Sequence, residues 1–224
     1  MGRIQDPWRA IAKACVGLAL LSLLFNITLH AELGGNLQTW SFVRKTIGKL
    51  LNSGTAWAAI AFYAGAKMAK PWMAFLVGIG AAIATLLIHY LVGSALHIYQ
   101  AGEIGMNGIW FQAAMVLCGP MGLAGWLAAR QGRLSLLARL VLPVGAIMEP
   151  FVLRNFDNFP PGRPWAEHYS DMTSGIMLIS FGVLAASYVL WHGPAGPRRG
   201  RDRDRADGGI KNPTSGPVAY RRPG

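Results

Sequence analysis

The sequence predicts an all-α, polytopic membrane helical bundle of about six transmembrane helices, with amino and carboxyl termini cytoplasmic. Three observations carry that prediction. Only 14% of the 224 residues are charged while 53% are hydrophobic, whereas a soluble domain carries about 25% charged residues. The apolar residues gather in runs that approach the roughly 20 residues needed to cross a ~30 Å hydrocarbon core. These runs lack the period-two alternation of barrel strands, and a spanning segment satisfies its backbone only as a helix or in a closed barrel. Helices are therefore expected at about 14–30, 51–69, 71–92, 109–129, 134–153 and 172–191, within a transmembrane domain at 1–192. A disordered, basic cytoplasmic tail is expected at 193–224.

Met1–Lys13 is short and basic, with Trp8 where an interfacial aromatic would sit. The first apolar run, Ala14–Leu29, could be mistaken for a signal peptide ending at Ala31. Leu29 is larger than the small residue such a cleavage site prefers at −3, so a retained helix is expected. Gly34-Gly35-Asn36 signals a turn. After it, Leu37, Trp40, Val43, Ile47, Leu50 and Leu51 recur at helical spacing around Arg44, Lys45 and Lys49. That pattern describes either an amphipathic helix in the membrane interface or a plain connecting loop.

Gly54–Met68 is apolar but short, so it must borrow residues from Ile47–Leu51 or span at a thin point. Pro71 suits the first position of the next helix. Pro71–Leu91 is the clearest span, and its small residues, Gly78 among them, allow close approach of a neighbouring backbone. Gly93–Asn107 reads as a polar connection.

Trp110–Leu153 reads as a hairpin of two apolar helices around which the other segments pack. Its first helix carries Gly119, Gly122 and Gly125, and its turn is Arg130-Gln131-Gly132-Arg133. The second helix holds Arg139 near one end, expected to snorkel to the headgroups, and Glu149-Pro150 near the other. Arg154–Asp171 is too polar and proline-rich to span. Met172–Trp191 closes the bundle, with Gly182 on its small-residue face.

The net charge of +11 is uneven: from Gly193 to Gly224 there are eight basic residues against three acidic ones. So basic and proline-rich a tail cannot bury enough surface to fold. It fixes topology and is not read as a nucleic-acid-binding face. Lysines and arginines in short loops place both termini inside, with Arg44, Lys45 and Lys49 as the one dissenting group. The mid-helix cysteines, Cys15 and Cys118, are expected at different depths and thus unpaired.

Candidate site residues cluster at the outer ends of the helices: Asn26, His89, His97, Glu103, Glu149 and Arg154. An ionisable group within a bilayer is expensive, roughly 2.5–3.5 kcal/mol at a helix centre. Glu149 is the first to question, about 24 Å along its helix from Arg133. It is either an interfacial carboxylate paired with Arg154 or part of an outward-facing polar cavity for a small solute. No two histidines share an i, i+4 helical face, so neither a metal nor any other cofactor is expected. No serine–histidine, paired-aspartate or His-Glu-x-x-His arrangement appears, and an enzyme is not expected.

The stretch from about Leu37 to Leu153 resembles a family of multi-pass membrane proteins of unknown function from high-GC Gram-positive bacteria. The resemblance lies in Asn52-Ser53-Gly54-Thr55-Ala56-Trp57 leading into Ala61-Phe62-Tyr63-Ala64-Gly65. It extends to Gly119-Pro120-Met121-Gly122 followed by Arg130 to Arg133, and to Pro143 with Glu149. It implies a membrane bundle in the bacterial cytoplasmic membrane and brings no activity. Two function classes stand. One is a solute-binding or transport subunit, similar in size and helix count to the capture subunits of vitamin importers. The other is a non-catalytic scaffold that docks another membrane protein, or a second copy of itself, through Gly78, Gly119, Gly122, Gly125 and Gly182.

Overall fold

A computed structural model describes residues 6–33, 37–99, 107–157 and 164–193. The expected tail beyond residue 193 and Glu103 lie outside the described residues. The elements are α1 (Pro7–Asn26), α2 (His30–Leu33), α3 (Gln38–Leu51), α4 (Gly54–Ala66), α5 (Pro71–Ala95), α6 (Gly108–Ala128), α7 (Arg133–Val152) and α8 (Trp165–Trp191). No strand occurs among the described residues. Among the described residues, five helices, α1, α5, α6, α7 and α8, are long and apolar enough to cross a membrane, and the chain is accordingly a multi-pass membrane protein.

Local chemistry explains where these boundaries differ from the expected ones. α1 begins at Pro7, earlier than 14, because Asp6 accepts a hydrogen bond from the Trp8 amide (3.1 Å) and proline fits the first turn. α8 begins at Trp165 and not at 172, because Glu167, Ser170 and Asp171 face partners on α3. The expected second span is a 13-residue helix, α4, about 20 Å long and too short to cross alone. Its start is fixed by Ser53, whose extended backbone (ψ 146°) and Oγ, accepting from the Ala56 amide, form an N-cap.

α3 is the helical alternative for the amphipathic stretch. It progresses along α8 in parallel, with Phe42 stacked beside Trp165 and Lys49 beside Ser170 and Asp171. α4 continues in the same sense, from Glu149 of α7 at its start to the α4–α5 turn, where Trp126 and Arg130 both donate to the Ala69 carbonyl (3.1 Å each). The pair α3–α4 is thus one crossing direction, interrupted at Asn52–Ser53.

The three cations of α3 are held by carboxylates. Arg44 donates to both oxygens of Glu32 and to the Phe25 carbonyl (2.9 Å), with the Arg44 and Glu32 side chains only 7% and 3% exposed. Lys45 pairs with Glu167, and Lys49 pairs with Glu167 (3.1 Å) and Asp171 (2.5 Å). Burial would raise the Glu32 carboxyl, but the Arg44 guanidinium and the Leu29 amide outweigh it and hold it below the ordinary carboxylate value.

The packing centre is not the expected α6–α7 hairpin. α6 packs mainly on α4 and α5, α7 packs on α8, and α6 and α7 share a smaller interface. Arg139 extends toward the α6–α7 turn, the end to which it was expected to reach. Its guanidinium donates to the Ala128 (2.9 Å) and Arg130 (3.4 Å) carbonyls and closes the end of α6. Three glycines let α4, α5 and α6 meet backbone to backbone. A Cβ on Gly122 would lie 2.1 Å from the Ala74 carbonyl oxygen, one on Gly65 1.9 Å from the Gly122 oxygen, and one on Gly78 2.5 Å from the Cys118 oxygen. Gly125 meets Phe62, Gly119 meets the Phe75 ring, and Gly182 meets Pro143 and Ile147 of α7. All five glycines named above as docking candidates therefore lie against helices of their own chain.

Two outcomes follow for stability. Gly122→Ala should destabilise the protein in a denaturing-detergent titration by about 1–3 kcal/mol, because the Ala74 backbone cannot give way. Gly80→Ala, with nothing within 4 Å, should be neutral or stabilising by roughly 0.5–1 kcal/mol. For Glu32, a folded-state value below the unfolded one means that its contribution is present at neutral pH. It is lost as pH falls from the ordinary carboxylate range through the lower folded value. Glu32→Gln should flatten that part of the acid limb in a stability–pH profile.

Candidate functional site

Above the glycine crossing, α4, α5 and α6 separate and leave a cavity of about 370 Å³. Helices pinned at one level by backbone contact diverge away from it. α4 contributes Gly54, Trp57 and Ala58, α5 contributes Ala82, Leu86, His89 and Tyr90, and α6 contributes the stretch from Trp110 to Cys118. Asn26, Asn52, Tyr99 and Asn107 close the end remote from the α6–α7 turn. Among the described residues, the lining holds neutral polar groups, aromatic rings and small apolar residues, with no lysine, arginine or carboxylate.

One hydrogen-bond chain supplies most of the polar character. His89 is 4% exposed, with Nδ1 3.3 Å from the Ala19 carbonyl and Nε2 2.7 Å from the Tyr99 hydroxyl. A carbonyl only accepts, so Nδ1 carries the proton, Nε2 accepts, and Tyr99 donates to it. The Tyr99 oxygen in turn accepts from Asn26 Nδ2 (3.3 Å), Asn26 Oδ1 accepts from Asn52 Nδ2 (3.1 Å), and Asn52 Oδ1 accepts from Ser22 (2.6 Å). The direction is consistent from Ser22 to Ala19, so each member fixes the next.

The backbone makes this arrangement accessible to Tyr99. His97 ends α5 in the left-handed region (φ 54°), and the amides of Ile98 and Tyr99 return to the Gly93 carbonyl. The Tyr99 ring then lies over Gly93, where a Cβ would be 2.4 Å from it. Trp57 and Tyr90 meet the His89 imidazole edge-on, with centroids 6.0 and 5.2 Å away.

Of the residues singled out from the sequence, Asn26 and His89 come together at this cavity. Glu149 sits on the far side of the α4 N-terminus. It accepts from the Gly54 amide (2.6 Å), the Thr55 amide (2.8 Å) and the Thr55 hydroxyl (2.6 Å). A half-helix that begins inside a bundle has unpaired N–H groups and a positive dipole end, and this carboxylate satisfies both. Its partner is therefore α4, not Arg154, which pairs instead with Asp157 at the exposed end of α7 (3.2 Å). His97 is exposed and its role is the chain reversal. Cys15 and Cys118 are both buried and free, and Cys118 alone of the two lines the cavity.

Sequence reasoning passed over Asn52, Trp57, Tyr99 and Trp110. The available signal was Asn52-Ser53-Gly54, three helix-interrupting residues ahead of an apolar run, which marks a break where side chains can turn inward. Among the described residues no three histidine, cysteine, aspartate or glutamate side chains are grouped to hold a metal.

Glu149→Gln leaves one acceptor oxygen for three donors and removes the charge at the helix end. It should cost about 1–3 kcal/mol of stability and speed hydrogen exchange at the Gly54 and Thr55 amides, measured by peptide-resolved mass spectrometry. In comparisons with known proteins, no family model, no curated protein and no solved structure matches the chain.

Proposed function

We propose that the protein captures a small, uncharged solute in the α4–α5–α6 cavity, as a binding or transport subunit of the bacterial cytoplasmic membrane. The observation that carries this reading is the cavity lining. Asn26, Asn52, Asn107 and His89 converge among Trp57, Tyr90, Tyr99 and Trp110, with no charged side chain among the described lining residues. Mostly apolar walls with a few placed polar groups, at a volume near 370 Å³, are the usual features of a small-molecule site. A charged solute would leave water for this cavity without a counter-charge, which disfavours it.

The same reading takes α3–α4 as an interrupted sixth crossing and places both termini in the cytoplasm. Arg9, Lys13, Lys67, Lys70, Arg130 and Arg133 belong to one end of the bundle, in keeping with a cytoplasmic bias of lysine and arginine. The dissenting Arg44, Lys45 and Lys49 are engaged in ion pairs that hold α3 to α2 and α8, so their position answers to folding. Against the docking alternative stands the use of Gly78, Gly119, Gly122, Gly125 and Gly182 within the chain.

Native mass spectrometry of protein released from lipid nanodiscs tests the proposal. The wild type and Glu149→Gln should both retain one small molecule, whereas Asn26→Leu and His89→Leu should lose it at least tenfold while remaining folded. Equal retention by all four proteins would place any bound molecule elsewhere. A co-purifying protein without a small ligand would favour the docking class.

A further inference from the structure

Two stripes of side chains border the cavity on its flank. On α4 the stripe is Gly54 and Ala58, four residues apart; on α6 it is Trp110, Ala113 and Leu117, at i, i+3 and i+7. Each set lies on one helical face. Gly54, Trp110 and Leu117 line the cavity and are also exposed, whereas Ala114 and Cys118, one helical position further round, are buried at 6% and 8%. The cavity therefore continues from the buried interior to the lateral surface, through a slot between α4 and α6 bordered by Gly54, Ala58, Trp110, Ala113 and Leu117.

That lateral surface is apolar. Met115, Val116 and Leu117 are each at least 60% exposed on a helix that is long and apolar enough to cross the bilayer, so this face of α6 meets lipid. A slot bordered by Leu117 opens toward hydrocarbon. From this geometry we infer that the ligand is a membrane-partitioned, uncharged amphiphile that enters between α4 and α6. Its apolar body lies on Trp57, Tyr90 and Trp110, and a terminal oxygen accepts a hydrogen bond from Asn26. The amide of Asn26 has two N–H groups and gives one of them to Tyr99, which leaves the second for such an acceptor. The inference rests on the solute-binding reading and adds the chemical class of the solute and its route.

Cys118 reports on the route without knowledge of the ligand, because a thiol at 8% exposure in the cavity wall is reached through the cavity. In a Cys15→Ser background, which keeps a donor for the Ala81 carbonyl, Cys118 is the one remaining thiol. The protein is reconstituted in phosphatidylcholine vesicles and treated with N-benzylmaleimide, which partitions into the bilayer. A parallel sample receives a methanethiosulfonate with a fixed trimethylammonium charge. Each rate is normalised to that of the chain unfolded in detergent. The maleimide should be favoured at least tenfold, Ala113→Phe should slow it at least fivefold by filling the slot, and Trp110→Ala should accelerate it. Equal normalised rates for the two reagents, or a maleimide rate unmoved by both slot variants, would overturn lateral entry while leaving solute binding intact. Protection of Cys118 from both reagents would mean a closed cavity and would overturn the solute reading as well.

Discussion

The structure depends on the approach of three backbones at Gly122. Ala74 and Gly78 of α5 and Gly65 of α4 reach the α6 main chain there, at distances that no side chain could share. Inside a bilayer the hydrophobic effect does not drive helices together, so contact of this kind, maximising dispersion between close surfaces, supplies the attraction. It also sets the geometry above it. Helices clamped at one level by glycines and alanines separate where tryptophan, tyrosine and leucine follow, and the separation is the cavity. Small residues at the crossing and aromatic ones beyond it are two parts of one arrangement.

A second constraint is the interruption at Asn52–Ser53. It leaves the first turn of α4 with amides that no preceding helix turn satisfies, a costly state away from water. Ser53 caps one amide, Glu149 takes two more and the Thr55 hydroxyl, and the charge lies at the positive end of the helix dipole. The same break turns Asn52 toward Asn26 and starts the hydrogen-bond chain that ends at His89. Every described buried side-chain nitrogen or oxygen has a partner, so the polar interior is organised in advance of any ligand. Preorganisation of that kind lowers the ordering cost of binding.

The all-helical membrane character was legible from the sequence because it is written in composition and run length, which hold whatever the tertiary packing. The glycine ladder was legible as a packing surface, but its partner was not. Nothing in Gly119-Pro120-Met121-Gly122 tells α5 from α7, and chain adjacency suggested the wrong neighbour as the packing centre. Glu149 was conspicuous as a carboxylate near the end of an apolar helix, yet the donors that claim it are backbone amides of Gly54 and Thr55, which no side-chain pattern announces. His89 and Asn26 were found by their position at helix ends. Tyr99 was not, because its place depends on a left-handed His97 and a bare Gly93, two local choices whose effect is visible only once α5 is closed. The pairing of Lys45 and Lys49 likewise needed α8 to begin seven residues before its apolar run, and that of Arg44 needed Glu32 on the short α2.

The most direct measurement of the account is an experimental density map of the protein in lipid nanodiscs, read at the space between α4, α5 and α6. The account predicts that the three helices touch at Gly65, Gly78 and Gly122 and stand apart beyond them, with non-protein density against Asn26 and Trp110. A map in which α4 and α6 close along their whole length, with Trp57 filling the space beside His89, would contradict it.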